Sequence, residues 1–321
     1  MSEQITDPKT DLKDFCEGIG CDHPDSTSRR IFDDRILFVS YWRDEETENP
    51  CDSHEGLGTI RSFGSRHVNS VSDPEEAEEL LKSPGAVPLS YFEHGLGLWG
   101  VAGTMEGMPD FRWDGVSLGG VWVPDRIARE NILVETARRL GRPIVVEQAA
   151  CAGERPQDDR PWILRVGEGR AARYFDNWPE AANAALRRAG SLVEVTRAED
   201  GSWAAKLRDG ESLEGFKSPG RARGAALAKV RRTLERKFAA KTCEIYTKWC
   251  NGDCWGWSVR VFAIRRDPDG FVWDDIVDYR RDEALFDEST GGYYGRDEAV
   301  EAAFEAACRA VPETSPEVLD Q

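Results

Sequence analysis

The sequence predicts an α+β fold: mixed or antiparallel sheets with packed helices, built partly from repeated ββα units. Three observations carry that expectation. Short β-branched and aromatic runs bounded by turn residues, such as ILFVSYW (36–42) and WGWSVRVFAIRR (255–266), read as strands. Stretches such as DPEEAEELLK (73–82) and DEAVEAAFEAACRAV (297–311) have helical spacing and acidic first turns, which favour the helix dipole. The third observation is an internal repeat at an offset of 41 residues.

Taken in order, residues 1–30 are polar and read as a flexible N-terminal arm. Cys16, Cys21 and His23 lie there, and Cys51 and His54 follow. Their spacing matches no recognised zinc knuckle, so no metal site is assigned. ILFVSYW is a buried strand and LGTI (57–60) a second, short one. In DPEEAEELLK, Asp73 is the N-cap, Pro74 takes the first helical position, and Pro84-Gly85 ends the helix. VPLSYFEHGLGLWGVAG (87–103) alternates as a strand before a glycine-rich turn. FRWDGVSLGGVWVPDRIARE (111–130) places a Trp-Asp-Gly turn before a strand, with Pro124 and Asp125 opening a helix. Glu93, His94 and Asp114 sit among aromatics and glycines at turns. With Asp253 further on, they are the candidate acid–base set of a hydrolase or nucleotide-processing enzyme. The bland reading is that Asp114 and Asp253 are turn formers.

The repeat aligns WILRVGEGRAARYFDNWPEAANAAL (162–186) with WAAKLRDGESLEGFKSPGRARGAAL (203–227), matching Trp162 to Trp203, Gly169 to Gly210 and Phe175 to Phe216. Each copy, 162–188 and 203–229, reads as strand, glycine turn, strand and Ala-rich helix. Residues 187–241 carry 14 basic and 7 acidic side chains. Arg221, Arg223, Lys229, Arg231 and Arg232 are therefore the nucleic-acid candidates, although no ladder of stacking aromatics accompanies them. YTKWCNGDCWGW (246–257) reads as a helix end, a tight turn and a strand start. With GGYYG (291–295) it supplies the candidate binding residues Trp249, Asp253, Trp255, Trp257, Tyr293 and Tyr294. FVWDDIVDY (271–279) is expected to be the return strand. Cys250 and Cys254 straddle the turn without further ligands beside them.

A formal net charge of -17 on 321 residues favours solubility and repels nucleic acid over most of the surface. No apolar run approaches the roughly 18–20 residues that cross a bilayer, so the expectation is a soluble, cytoplasmic protein with no membrane partner. The eight cysteines read as reduced thiols, and no cofactor is implied. No activated nucleophile or phosphate loop stands out, which favours a role other than catalysis.

LGTI at Leu57, PLSYFEHGLGL at Pro88, WDGVSLGGVWV at Trp113, YTKWCNGDCWGW at Tyr246 and GGYYGRDEA at Gly291 stand in a telling order. In that order and approximate spacing the chain resembles an uncharacterised family of bacteriophage and plasmid accessory proteins. Their motifs run LGT, PLYLYDHSG, WDSGQVG, GDVYGY and WGFYG. Here an Asp-His pair becomes Glu93-His94, and the closing Asp-Ser-Cys gives way to DESTGGYYG. The resemblance implies a mobile-element origin and supplies no reaction. The expected organisation is a discontinuous module, 31–130 with 234–321, interrupted by an inserted domain, 131–233. The expected function is that of an acidic accessory protein binding and inhibiting a host or defence protein, with mimicry of DNA as its mode. Enzymatic activity around Glu93, and nucleic-acid binding through the basic insertion, are the alternatives.

Overall fold

A computed structural model shows an α+β fold in which every strand pairing among the described residues is antiparallel. The structure describes residues 8–19, 27–32, 34–54, 56–140, 144–148, 162–166, 172–175, 180, 181, 183–185, 187, 188, 193–207 and 210–311. In chain order the elements begin with α1 (Pro8–Gly18), β1 (Thr27–Phe32), β2 (Arg35–Arg43), α2 (Pro50–Ser53) and β3 (Thr59–Ser62). Next come α3 (Pro74–Lys82), β4 (Val87–His94), β5 (Leu96–Val101), α4 (Phe111–Asp114), β6 (Gly115–Val123) and α5 (Arg126–Leu140). Then follow β7 (Ile144–Gln148), β8 (Trp162–Val166), β9 (Ala172–Phe175), β10 (Glu194–Arg197), β11 (Trp203–Lys206) and β12 (Ser212–Phe216). The chain closes with α6 (Pro219–Cys250), β13 (Cys254–Ala263), β14 (Phe286–Tyr294) and α7 (Arg296–Ala310). Two compact units divide it: Pro50–Glu244, and Met1–Asn49 with Ile245–Gln321.

The unit built from both ends of the chain centres on a sheet of order β1-β2-β13-β14. β2 and β13 are its inner strands, paired over nine residues from Arg43↔Trp255 to Arg35↔Ala263. Side chains alternate across a strand, so each inner strand serves two cores. On one face Leu37, Val39, Tyr41, Trp255, Trp257, Val259 and Val261 pack with Leu12 and Cys16 of α1 and the alanines of α7. The small side chains at Ala299, Ala303, Ala306, Ala307 and Ala310 let that helix lie close to the large aromatics. On the other face Ile36, Phe38 and Phe262 pack with Tyr279.

Two expectations are corrected here. The first 30 residues are not simply an arm: α1 buries Leu12 and Cys16, and the Tyr41 hydroxyl donates to the Cys16 carbonyl at 3.3 Å. FVWDDIVDY is not the return strand, because β14 takes the free edge of β13 from Val261↔Phe286 to Cys254↔Tyr294. Asp275 instead accepts from the Val277 N–H at 3.2 Å and opens a 3-10 turn, Ile276–Asp278, that delivers Tyr279 to the core.

The other unit contains a sheet of order β3-β6-β4-β5 and two three-stranded sheets, β7-β8-β9 and β10-β11-β12. Ile60, Val87, Leu89, Trp99, Val101 and Trp122 are buried on one face of the four-stranded sheet. Gly120 is required there, since a Cβ would sit 2.6 Å from the Arg61 carbonyl and 3.0 Å from the Trp99 ring. Asp73 caps α3 as its sequence predicts, accepting from the Glu75 N–H at 2.9 Å. In the smaller sheets Trp162 lies opposite Phe175 and Trp203 opposite Phe216. Each sheet carries a third strand, β7 or β10, that the ββα reading does not include. Gly169 and Leu186, on which the repeat alignment also rests, lie outside the described residues, as do Cys21 and His23.

Candidate functional site

β4 carries Glu93 and His94 at its end, and consecutive strand residues point to opposite faces. The expected acid–base set is therefore divided. On one face the Tyr91 hydroxyl donates to Glu93 Oε2 at 3.1 Å, and the Tyr91 ring packs against Trp99 (4.8 Å) and His67 (4.6 Å). His67 Nδ1 lies 2.5 Å from Ser62 Oγ, a pairing the sequence does not announce because β3 ends at Ser62 and His67 follows in a loop. Burial lowers the His67 pKa, and the Glu93 carboxylate opposes that shift. Ser62 is 0 % exposed, so its hydroxyl is a structural partner that no substrate reaches.

On the other face His94 stacks on Phe92, and Phe92 stacks on Phe111 of α4. Phe111 anchors that single turn, which brings Asp114 Oδ2 to 2.9 Å from His94 Nδ1. Gly115 then lets β6 begin directly against Phe111, where a Cβ would collide with its carbonyl and ring. The hydrogen bond to Asp114, and then its charge, raises the His94 pKa. His94 and Asp114 thus form an ion pair in open solvent, with side-chain exposures of 69 % and 37 %.

These opposite shifts predict a titration. In an NMR pH series His94 titrates above its ordinary 6.5 and His67 below, and Asp114→Asn brings His94 back toward 6.5. The His94 contact stabilises below its unfolded pKa and is lost as pH rises through the raised folded value; neutral His67 stabilises above its unfolded pKa and fails as pH falls through the lowered one. Coincident titrations would contradict both environments.

The remaining candidates resolve separately. Asp253 lies in the other unit, where it accepts from Arg43 Nη1 at 2.8 Å and from the Trp255 indole at 2.7 Å; the Arg43 guanidinium lies 4.1 Å from the centre of the Trp255 ring. Within Pro50–Glu244 the register thus separates Glu93 from the His94–Asp114 pair, while Asp253 belongs to the other unit. The aromatic binding set is largely core: Trp255, Trp257 and Tyr294 are buried, and Tyr293 packs half-buried against the cluster that holds Trp255 and Trp257. The Trp249 indole donates to the Thr47 carbonyl at 3.0 Å, and the Tyr294 hydroxyl to that of Glu48 at 2.9 Å. A central strand that supports α7 has its indoles turned inward, which is why this aromatic-rich stretch offers little of itself to a partner.

Of the basic candidates, Lys229 pairs with Glu211 and Arg231 with Glu235 (2.8 Å); Arg221 and Arg232 are exposed and Arg223 is half-buried. Burial pushes the Cys16 and Cys243 thiols up to about 12, which keeps them protonated. Among the described residues no group of three or more His, Cys, Asp or Glu side chains is placed to hold a metal ion, and no helix is long and apolar enough to cross a membrane.

Sequence reasoning missed a set of exposed apolar side chains. Leu96 (61 % exposed) on β5, Trp113 (72 %) on α4, and Val116 (50 %) and Leu118 (46 %) on β6 are exposed; the register sets Leu96 opposite His94, on the face where Asp114 of α4 meets His94, and Val116 opposite Tyr91, on the other face. Arg112 covers one face of Trp113 at 4.8 Å, and the His94–Asp114 pair stands beside it. The overlooked signal is the hydrophobic residues at 116 and 118, on a strand whose other apolar positions are committed to the core. No protein-family model, curated protein or solved structure matches the chain.

Proposed function

We propose that the chain is an acidic binding protein that occupies another protein, through exposed Leu96 and Trp113 on the His94 face of the sheet. The observation that carries this reading is the exposure of two large apolar side chains, Leu96 at 61 % and Trp113 at 72 %, on the face that carries the His94–Asp114 pair. Exposed large apolar side chains mark interaction surfaces when a partner covers them. A Trp with an Arg beside it is the composition of an interface hot spot. The net charge of -17 supports a basic partner, the class to which nucleic-acid-binding enzymes belong, since complementary charge steers association. Inhibition of such an enzyme by a phage or plasmid accessory protein is the role we assign. The open setting of the His94–Asp114 pair, with Glu93 on the opposite face, weighs against an acid–base site.

The test begins with capture of a stoichiometric protein from host extract after nuclease treatment, followed by binding measurements with that protein. Trp113→Ala weakens the complex by about 30-fold or more, the loss of a hot-spot side chain, without lowering the melting temperature. Leu96→Ala weakens it less, and Val68→Ala, exposed in the loop whose His67 packs on Tyr91 of the opposite face, leaves it unchanged. Full affinity in Trp113→Ala would remove the surface from the proposal, and failure to capture any protein would remove the binding role.

A further inference from the structure

We propose that α6 carries a docking surface for the phosphate backbone of duplex nucleic acid, made by Arg232, Arg236, Lys237 and Lys241. All four are exposed, and all lie in the unit Pro50–Glu244. At 3.6 residues per turn Arg232 and Arg236 form one row along the helix, and Lys237 and Lys241 form another. Thr233 and Ala240, small and exposed, lie between the rows, so cations flank a backbone laid along the helix on both sides. From 232 to 241 the rise is about 14 Å. The surface shares no residue with Leu96 and Trp113, so the two proposals stand apart.

Elsewhere on α5 and α6 arginines are matched four residues away by a carboxylate: Arg126 with Glu130, Arg139 with Glu135, Arg231 with Glu235. Here Arg232 and Lys237 meet a second cation at that distance, an arrangement that disfavours the helix. Glu235, the one carboxylate from 232 to 241, is buried and taken by Arg231. No carboxylate among the described residues pairs with Arg232, Lys237 or Lys241. Arg236 donates from Nη2 to the Ala102 carbonyl at 3.1 Å, which steadies its guanidinium and leaves other N–H donors, since the group carries five. An anion from outside relieves this repulsion. The net charge of -17 repels a polyanion from the rest of the surface, which confines contact to this face. The duplex is favoured over a single strand because no exposed position from 221 to 241 carries an aromatic ring, and Phe238 is half-buried, so bases have no platform on which to stack.

Fluorescence anisotropy of a labelled random-sequence DNA duplex, titrated with the full chain between about 50 and 200 mM salt, tests this. The expected result is saturable binding whose logarithm falls with the logarithm of salt at a slope of about -3.6, roughly 0.9 for each of four contacts, or roughly 100-fold over that range. The same sequence as a single strand binds more weakly. Lys237→Gln with Lys241→Gln weakens duplex binding at least about tenfold and brings the slope to about -1.8. The melting temperature of that variant does not fall, because a like-charge pair is relieved. The change of slope is a readout that damage to the fold would not produce. Absence of saturable binding at the lowest salt, an unchanged slope or affinity in the double variant, or tighter binding of the single strand would each overturn the proposal. Displacement of the duplex by polyglutamate as readily as by unlabelled duplex would assign the face to an acidic protein instead and overturn it as well.

Discussion

Trp257→Ala is expected to cost about 3–5 kcal/mol, the range for truncating a buried aromatic in a packed core. The indole is 2 % exposed on β13, flanked by β2 and β14, in the cluster that holds Val39, Val259 and Ala303. An Ala there leaves a cavity bounded on the sheet side by two ladders of hydrogen bonds, which restrict collapse. A whole domain is stable by only about 5–15 kcal/mol, so one such loss takes a large part of the margin. In urea the unfolding midpoint falls while the slope of the transition stays the same. Trp257→Phe is milder than the volume lost suggests, because the Trp257 indole N–H is buried with no acceptor among the described residues, and Phe removes that donor. The experiment separates two readings of the same residue: an aromatic held out for a partner would be lost with no change in midpoint, and that result would refute its assignment to the core.

How much of this was legible in the sequence depended on range. β2 was readable because ILFVSYW is a continuous β-branched and aromatic run, and α3 because Asp73-Pro74 and the acidic residues after it act within one turn of the helix end. Glu93 and His94 were separable in principle, since neighbours on a strand cannot share a face. Asp114 was not placeable: α4 is four residues long, too short for any period, and its position follows from Phe111 packing on Phe92. The return strand failed for a related reason. FVWDDIVDY has strand-like composition, yet the edge of β13 is a resource for which Phe286–Tyr294 also competes, and pairing preference across a connection is not written in either segment alone. The boundaries of the two units were equally hidden, because the second falls at Ile245, within the unbroken helix α6, where no linker composition marks it.

Asp125→Ala should destabilise by about 3–5 kcal/mol, more than an ordinary cap, because one carboxylate does three tasks. Its Oδ1 accepts from the Ala128 N–H at 2.7 Å and caps α5. Its Oδ2 accepts from the Gly56 and Gly58 N–H groups at 2.8 and 3.0 Å. The cap accounts for about 1–2 kcal/mol, and two part-buried donors left without an acceptor account for the rest. The glycine loop cannot relax freely in response. Gly58 has φ +76 and lies so close to Trp122 that a Cβ would stand 2.7 Å from its Nε1. The Leu57 carbonyl between them accepts from both the Trp122 indole (2.8 Å) and the Thr242 hydroxyl (2.6 Å). Freeing the loop therefore threatens the satisfaction of a fully buried Trp and of α6 together. Asn at 125 keeps one acceptor oxygen and rescues only the part of the stability that one bonding direction supplies. Hydrogen exchange gives the discriminating readout: in Asp125→Ala the Gly56, Gly58 and Ala128 amides exchange faster by a larger factor than Leu89 in β4, whose partners are untouched. Equal acceleration at all four would mean that the loss is global and would refute the local bonding of the three amides to Asp125.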